Sequence, residues 1–401
     1  MKKIFYLVAL FAAVLLTACD SSSVQTPDGD KTKLWPAGKK DSQLWGFMDK
    51  SGNLEIAAKY DYVWGFSCGW ALVLEDGEFM FIDKSGKNKH SVDKEELDLY
   101  YFFYNYCTFQ DGEYYGMWDK DFATVIPADY KYLGMPSADK LVAFSEDKSD
   151  DEGCGYLDMK GNVAIEPQWH EADDFVEGMA VVVVKKGKDD DVSYKYGIIN
   201  KKGEYIVEPQ KNELLSLGEN RFEMVKSNGK SVLCDKNLEE LSGSYDDIYA
   251  FSCGLALVEK EGKGFGFIDK NGQEVISCKY LHASNFGDDL AFVMKDADSK
   301  VEVLDKKGES VLKLKEDEEP NGYFHNGLAC VRLYDKEAKA NSYRYIDKNG
   351  ETIYKWTPGD EEEEDEDEAP ARWKEMNRRN ILETEAGPLF LNYERAKQRR
   401  K

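Results

Sequence analysis

Four histidines, His90, His170, His282 and His325, are the side chains best suited to move a proton near neutral pH or to ligate a metal. Each stands in a different local sequence, so a shared site would need the fold to converge them. Motifs that carry chemistry by themselves are missing: there is no Gly-rich phosphate loop, no G-x-S-x-G elbow and no H-E-x-x-H pair. The 77 acidic residues allow a glycosidase-like pair to be picked anywhere, and that abundance empties the choice of meaning. The acidic stretches Asp147 to Glu152 and Asp189 to Asp191 lack the Asp-x-Asp-x-Asp-Gly ligand spacing of a calcium loop. No catalytic residue, metal ligand or cofactor is therefore expected. Aromatic residues are the stronger candidates for contact with a ligand. Trp64, Trp70, Trp169 and the run Tyr100-Tyr101-Phe102-Phe103-Tyr104 exceed what one face of a strand can bury. Exposed, they would stack on sugars or anchor a protein partner; buried, they would fill irregular repeats.

One cysteine has a chemical context of its own. Lys2 and Lys3 precede an apolar run from Ile4 to Leu16, which ends in Leu16-Thr17-Ala18-Cys19. The run is too short to span a bilayer, which takes ~20 residues. A charged start, a short apolar middle and small residues before a cut are the marks of a secretory signal. The four closing residues resemble the lipobox of bacterial lipoproteins. That resemblance implies a signal peptide at 1–18 and a diacylated Cys19 at the new amino end. The Ser-, Asp- and Gly-rich segment 19–33 then reads as a lipidated tether. The mature chain is expected in the bacterial cell envelope, anchored by lipid to the inner or the outer membrane.

Composition narrows the partners. The chain of 401 residues carries a net charge of −24, and loss of Lys2 and Lys3 with the signal takes the mature part to −26. Nucleic acid is excluded as a partner, because binding it requires a basic surface. An anionic membrane would also repel this body, which leaves the lipid to hold it there. Beyond Cys19 there remain seven cysteines, Cys68, Cys107, Cys154, Cys234, Cys253, Cys278 and Cys330, with no C-x-x-C among them. This is neither a disulfide framework nor a zinc site; free cysteine in apolar runs behaves as a small hydrophobe.

The elements that must position any site are repeats. Gly266-Phe267-Ile268-Asp269-Lys270-Asn271-Gly272 has near-copies whose Asp or Asn stands at 49, 83, 158, 200, 305 and 347, with degenerate copies at Asp119 and Asp235. The spacings run from 34 to 42 residues. The Asp can bond its own backbone two residues on, and the Gly three residues later can take a positive φ, so the motif is a strand entering a hairpin turn. Phe122 and Leu238 stand where the other copies have this Gly, which predicts altered turns there. A second motif, Phe66-Ser67-Cys68-Gly69-Trp70-Ala71-Leu72-Val73, returns from Phe175, Phe251 and Phe324. Each unit thus predicts three short strands in a meander.

The two motifs resemble the WG-repeat family over about Gln43 to Trp356. The name-giving pair stands in register only at Trp45-Gly46; Tyr115-Gly116, Cys154-Gly155, Tyr196-Gly197 and Phe265-Gly266 hold its place elsewhere. The resemblance implies an all-β scaffold of recognition surfaces, often secreted or at the cell surface, with no established catalytic chemistry. The expected fold is about 8.5 tandem three-stranded meanders at 34–356, in a curved array that is propeller-like or a solenoid. The last copy, Tyr343 to Trp356, lacks its third strand, and the segment Thr32 to Trp35 could supply it and close a ring.

The chain then changes character. Nine successive acidic residues from Asp360 to Glu368 make 357–369 an acidic disordered linker. The basic extension 370–401 carries Trp373, Met376, Ile381 and Leu382 at loosely helical spacing. It would fray, or dock on the acidic body or a partner. The functional expectation is a non-enzymatic envelope lipoprotein that binds or scaffolds an envelope protein. A glycan-binding lipoprotein that holds polysaccharide through Trp64, Trp70 and Trp169 is the alternative. An envelope hydrolase with a loop-assembled site is the contrasting class.

Overall fold

The computed structural model describes residues 33–92, 102–146, 153–187, 192–335 and 340–359. Cys19 and its tether, Tyr100 and Tyr101, the acidic stretches from Asp147 and Asp189, the acidic linker beyond Gly359 and the basic extension lie outside them. The described residues form antiparallel strands in nine small sheets. Taken as blades in chain order, they span 35–60, 62–92, 106–130, 132–169, 171–210, 213–235, 247–280, 282–313 and 318–356.

A full blade is a meander of four strands, as in Tyr62–Val63, Trp70–Glu75, Glu78–Asp83 and Asn88–Val92. The Ala-Leu-Val segment is the second strand and the segment before the turn Asp is the third. Both are buried along nearly their whole length, because neighbouring blades cover both faces. The fourth strand alternates, as in Leu54–Tyr60, where Ile56 and Tyr60 point into the core.

Six of the nine blades add a fourth strand to the three-stranded unit expected from the repeats, and blades 1, 3 and 6 keep three. A first strand of two residues precedes the Ala-Leu-Val segment in blades 2, 4, 5 and 8. Two residues are too few to leave a periodic signal. The blade boundary therefore falls after the fourth strand. The last motif copy is complete at Trp356, and it is the first copy that needs a preceding strand. Trp35–Gly38 supplies it by pairing with Trp45–Met48, so this segment completes blade 1 instead of the last copy.

The core is divided among the junctions between blades. Nine apolar clusters occur among the described residues, one at each neighbouring pair of blades. Eight join blades adjacent in sequence. The ninth joins blade 9 to blade 1 through Trp35, Ala37, Met48, Leu328, Cys330, Tyr345 and Trp356, so the array closes into a nine-bladed propeller. Closure uses no exchanged strand. Trp356 packs edge-on to Trp45 at 5.8 Å and stacks on Tyr343 at 5.1 Å. Tyr354 Oη donates to the Gly38 carbonyl at 3.0 Å, and the Asp41 amide donates to the Thr357 carbonyl at 2.9 Å.

Glycine in the name-giving pair has a steric cause. A Cβ at Gly46 would lie 2.4 Å from the Ile56 carbonyl oxygen, and at Gly155 it would lie 2.5 Å from that of Ile165. Gly116, Gly197 and Gly266 are approached by Ile126, Val207 and Ile276 in the same way, always ten residues on. In each of these blades the fourth strand bulges where it crosses the glycine: Phe47 pairs with Ile56 but Trp45 pairs with Tyr60. Met80, Glu302 and Arg344 occupy this position in blades 2, 8 and 9, and there the fourth strand pairs with the third at that point without the bulge.

Candidate interaction surface

Two kinds of turn make one face of the ring. The turn Asp accepts two backbone amides through Oδ1, as Asp269 does from Asn271 at 2.9 Å and Gln273 at 2.9 Å. Asn200 does the same in blade 5. The Ser85 hydroxyl, together with backbone amides and Lys89, holds the Asp83 carboxyl down to about 2. Turn chemistry thus accounts for the repeated Asp. The altered turns expected at Phe122 and Leu238 do not occur. Both residues take positive φ, 61° and 63°, and their amides bond Asp119 and Asp235 as glycine does elsewhere. Packing holds Phe122 there: its ring stacks on His90 at 4.5 Å and meets Trp70 at 5.1 Å.

The second kind of turn joins the first and second strands, with paired positive φ at Glu177-Gly178 and Asn326-Gly327. Several of these turns bond across the blade junction. The Gly178 amide donates to Asp139 at 2.8 Å, the Asn220 amide to Glu177 at 2.5 Å, and the Gly327 amide to Asp288. Lys201 adds an ion pair to Asp139 at 3.2 Å. Acidic side chains on this face are thereby committed to holding neighbouring blades together.

The first strands are less uniform. Pairing with the second strand puts Tyr62, Tyr132, Glu171, Glu213, Asp247, His282 and Glu319 at one register position in seven blades. All seven keep solvent exposure, and neither lysine nor arginine is among them. Burial pushes the His282 imidazole down and the Tyr132 phenol well up, and Asp174 and Asp173 raise Tyr132 further. This position was missed in the sequence because its strand is two residues long in four of the blades.

The tryptophans separate. Trp169 is 1 % exposed in the junction of blades 4 and 5, where its indole N–H donates to Tyr205 Oη at 2.9 Å. It has no open face, so its assignment as a ligand-contact residue is corrected to core. Trp64 and Trp70 are half-buried at the junction of blades 2 and 3. Trp64 meets Tyr62 edge-on at 4.3 Å, and Trp70 donates to the Lys120 carbonyl at 3.0 Å. Phe102 and Phe103 are core.

The histidines stay apart, His90, His282 and His325 in blades 2, 8 and 9 and His170 in the link between blades 4 and 5. Among the described residues no group of three or more His, Cys, Asp or Glu is arranged to hold a metal ion. Cys68, Cys107, Cys154, Cys234, Cys278 and Cys330 are free thiols, all but Cys68 buried, and burial pushes Cys154 up to about 11.

A family model for the WG containing repeat matches residues 45–79, 155–188, 196–213, 242–263 and 265–297. This chain is a WG-repeat protein. Four of the five crossing glycines of the WG-repeat fold, Gly46, Gly155, Gly197 and Gly266, fall within the matched segments. No curated protein matches the chain. Among solved structures, one described as a eukaryotic initiation factor superposes with a TM-score of 0.55 at 9% identity, covering 81% of this chain and 97% of its own. At that identity the likeness shows the fold alone. AztD of Citrobacter koseri has a TM-score of 0.40 at 12% identity, covering 81% of this chain and 94% of its own. BamB of Moraxella catarrhalis has a TM-score of 0.38 at 14% identity, covering 73% and 95%. At those scores the last two carry no argument.

Proposed function

We propose that this WG-repeat propeller is a non-enzymatic protein-interaction scaffold of the bacterial cell envelope, tethered to a membrane by lipid on Cys19. One observation carries the scaffold reading. A constant frame of turns and junction cores presents a single register position occupied by Tyr62, Tyr132, Glu171, Glu213, Asp247, His282 and Glu319. Varied, partly exposed side chains on a rigid repeated frame are how repeat proteins build recognition surfaces. The absence of positive charge at that position favours a basic protein partner over nucleic acid. Support for the anchor is the sequence alone, Leu16-Thr17-Ala18-Cys19 after a short apolar run.

Glycan binding is a second reading, favoured by the half-buried Trp64 beside Tyr62. A loop-assembled envelope hydrolase remains the contrasting class. Crosslinking and capture from native envelopes with the full-length lipidated chain separates the three. The scaffold reading expects one envelope protein, recovered reproducibly and lost with Glu171→Lys and Glu213→Lys. Polysaccharide alone, lost with Trp64→Ala, moves the glycan reading ahead. Retention of neither, with turnover of an envelope polymer, sinks both binding readings. Radiolabelled palmitate incorporation that survives Cys19→Ser contradicts the anchor.

A further inference from the structure

The junction between blades 4 and 5 concentrates like charge. Asp173 and Asp174 follow the first strand Glu171–Ala172. The pairing register puts Trp64-Gly65, Gly134-Met135, Tyr249-Ala250 and Ser284-Asn285 at the same two positions in blades 2, 4, 7 and 8. None of those pairs carries a carboxylate. Asp174 is buried under blade 4, where its Oδ1 accepts the Met135 amide at 3.1 Å. The Gly134 backbone is so close that a Cβ there would lie 2.4 Å from the same oxygen. Facing the pair are Glu171 from the same strand, Glu213 from blade 6, and Tyr132 and Tyr156 from blade 4, with Cys154 beyond those two tyrosines. Every charge acting on Asp173 is negative, with no lysine or arginine among them.

We propose that this junction is a proton-operated hinge, closed while the Asp173–Asp174 pair holds at least one proton and loosened between blades 4 and 5 when both carboxylates ionise. Ionisation places two new charges beside Glu171 and Glu213 without a cation to offset them. The repulsion acts across the seam that Asp174 bonds to Met135. Loosening exposes the cluster built on Cys154, Tyr156 and Trp169, which the neutral junction covers. The working range is set by surroundings. Burial first, then Asp174, Glu171 and Glu213, raises Asp173 to about 7, and the side chain keeps a partly exposed edge. Burial raises Asp174 to about 7 against the opposing pull of the Met135 amide. The hinge therefore turns over near neutral pH.

Amide hydrogen exchange on the full-length chain tests it, corrected for the intrinsic pH dependence of exchange. The Ser284 amide, which donates to the Phe292 carbonyl in blade 8, serves as internal reference. Protection of Met135 relative to Ser284 is expected to fall at least about tenfold between pH 6 and pH 8, the change in ionised fraction of one such carboxyl, and further because loosening requires both to ionise. With Asp173→Asn it is expected to stay flat. Equal relative protection at both pH values in the native chain, or the same fall in the variant, overturns the proposal. Should Asp173→Asn not fold, Glu171→Gln removes an exposed neighbouring charge and is expected to move the midpoint to lower pH. An unmoved midpoint is contradictory.

Discussion

Arg344 grips Glu318 with two parallel hydrogen bonds, Nε to Oε1 at 2.8 Å and Nη2 to Oε2 at 2.7 Å, inside blade 9. The arginine occupies the position that is glycine in five other blades. Its remaining donors reach Thr352 Oγ1 at 2.8 Å and the Gly350 carbonyl at 3.4 Å, and the Lys315 amide donates to Glu318 Oε2 at 2.9 Å. One blade has thus replaced a backbone crossing by a bidentate ion pair, and both partners are buried. Burial pushes the Glu318 carboxyl up, but the Arg344 and Lys315 bonds outweigh it and hold it below its usual value.

Glu318→Ala leaves that guanidinium buried without its partner. The expected loss is ~3–5 kcal/mol of unfolding free energy, read by urea denaturation. Because the folded carboxyl titrates below its unfolded value, the pair stabilises fully above the ordinary glutamate range. That contribution fades as pH falls through the folded value. The native and variant curves are therefore expected to converge toward acid.

Gly155→Ala forces a methyl against the Ile165 carbonyl oxygen, within 2.5 Å of the ideal Cβ. The fourth strand must lift from the crossing, at an expected cost of ~1–3 kcal/mol. Gly65→Ala is the control, with nothing within 4 Å of its Cβ and no positive φ. Its stability is expected to stay within about 0.5 kcal/mol of the native chain. Thermal melts of the two variants side by side decide whether close approach, and not glycine content, is what the repeat requires.

Asp269→Ala removes the acceptor for two backbone amides in one turn and is expected to cost ~1–2 kcal/mol. Asp269→Asn should be nearly silent, since Asn200 makes the equivalent bonds at 2.8 and 3.2 Å. A large loss in the Asn variant would show that the charge, not the acceptor geometry, holds the turn.

The Asp173–Asp174 pair gives stability a pH slope of definite sign. Carboxyls that titrate at about 7 when folded, against 3.8 in the ordinary range, hold more protons folded than unfolded. Stability must therefore rise as pH falls from about 8 through 7 toward the ordinary carboxylate range. Melting temperatures at pH 8 are expected below those at pH 6, and Asp174→Asn, which keeps an oxygen for Met135, is expected to flatten the difference.

Much of the ring was legible because its turns are chemically explicit. Asp with Gly three residues on, repeated at spacings of 34 to 42 residues, announces hairpins, and Gly178 or Gly254 after a Phe announces the second turn. The first strands were not legible: Tyr62–Val63 and Glu171–Ala172 are too short for any periodicity and acquire meaning only through pairing. Closure depends on Trp45 meeting Trp356 across more than three hundred residues, which local pattern cannot encode. Trp169 misled because aromatic residues beyond one strand face need not be exposed when two blades share them. Nothing in the sequence marks the acid pair at 173 and 174; only the neighbouring blade buries it.

A single amide tests the closed ring most directly. Asp41 sits in an exposed loop at φ 53°, and its amide donates to the carbonyl of Thr357 at the far end of the repeat region, 2.9 Å away. In the closed propeller its hydrogen exchange is slowed, and Trp356→Ala, which removes the aromatic centre of the seam, restores the unprotected rate. Exchange of Asp41 at the unprotected rate in the native chain would mean that blades 9 and 1 do not meet and that the array is open.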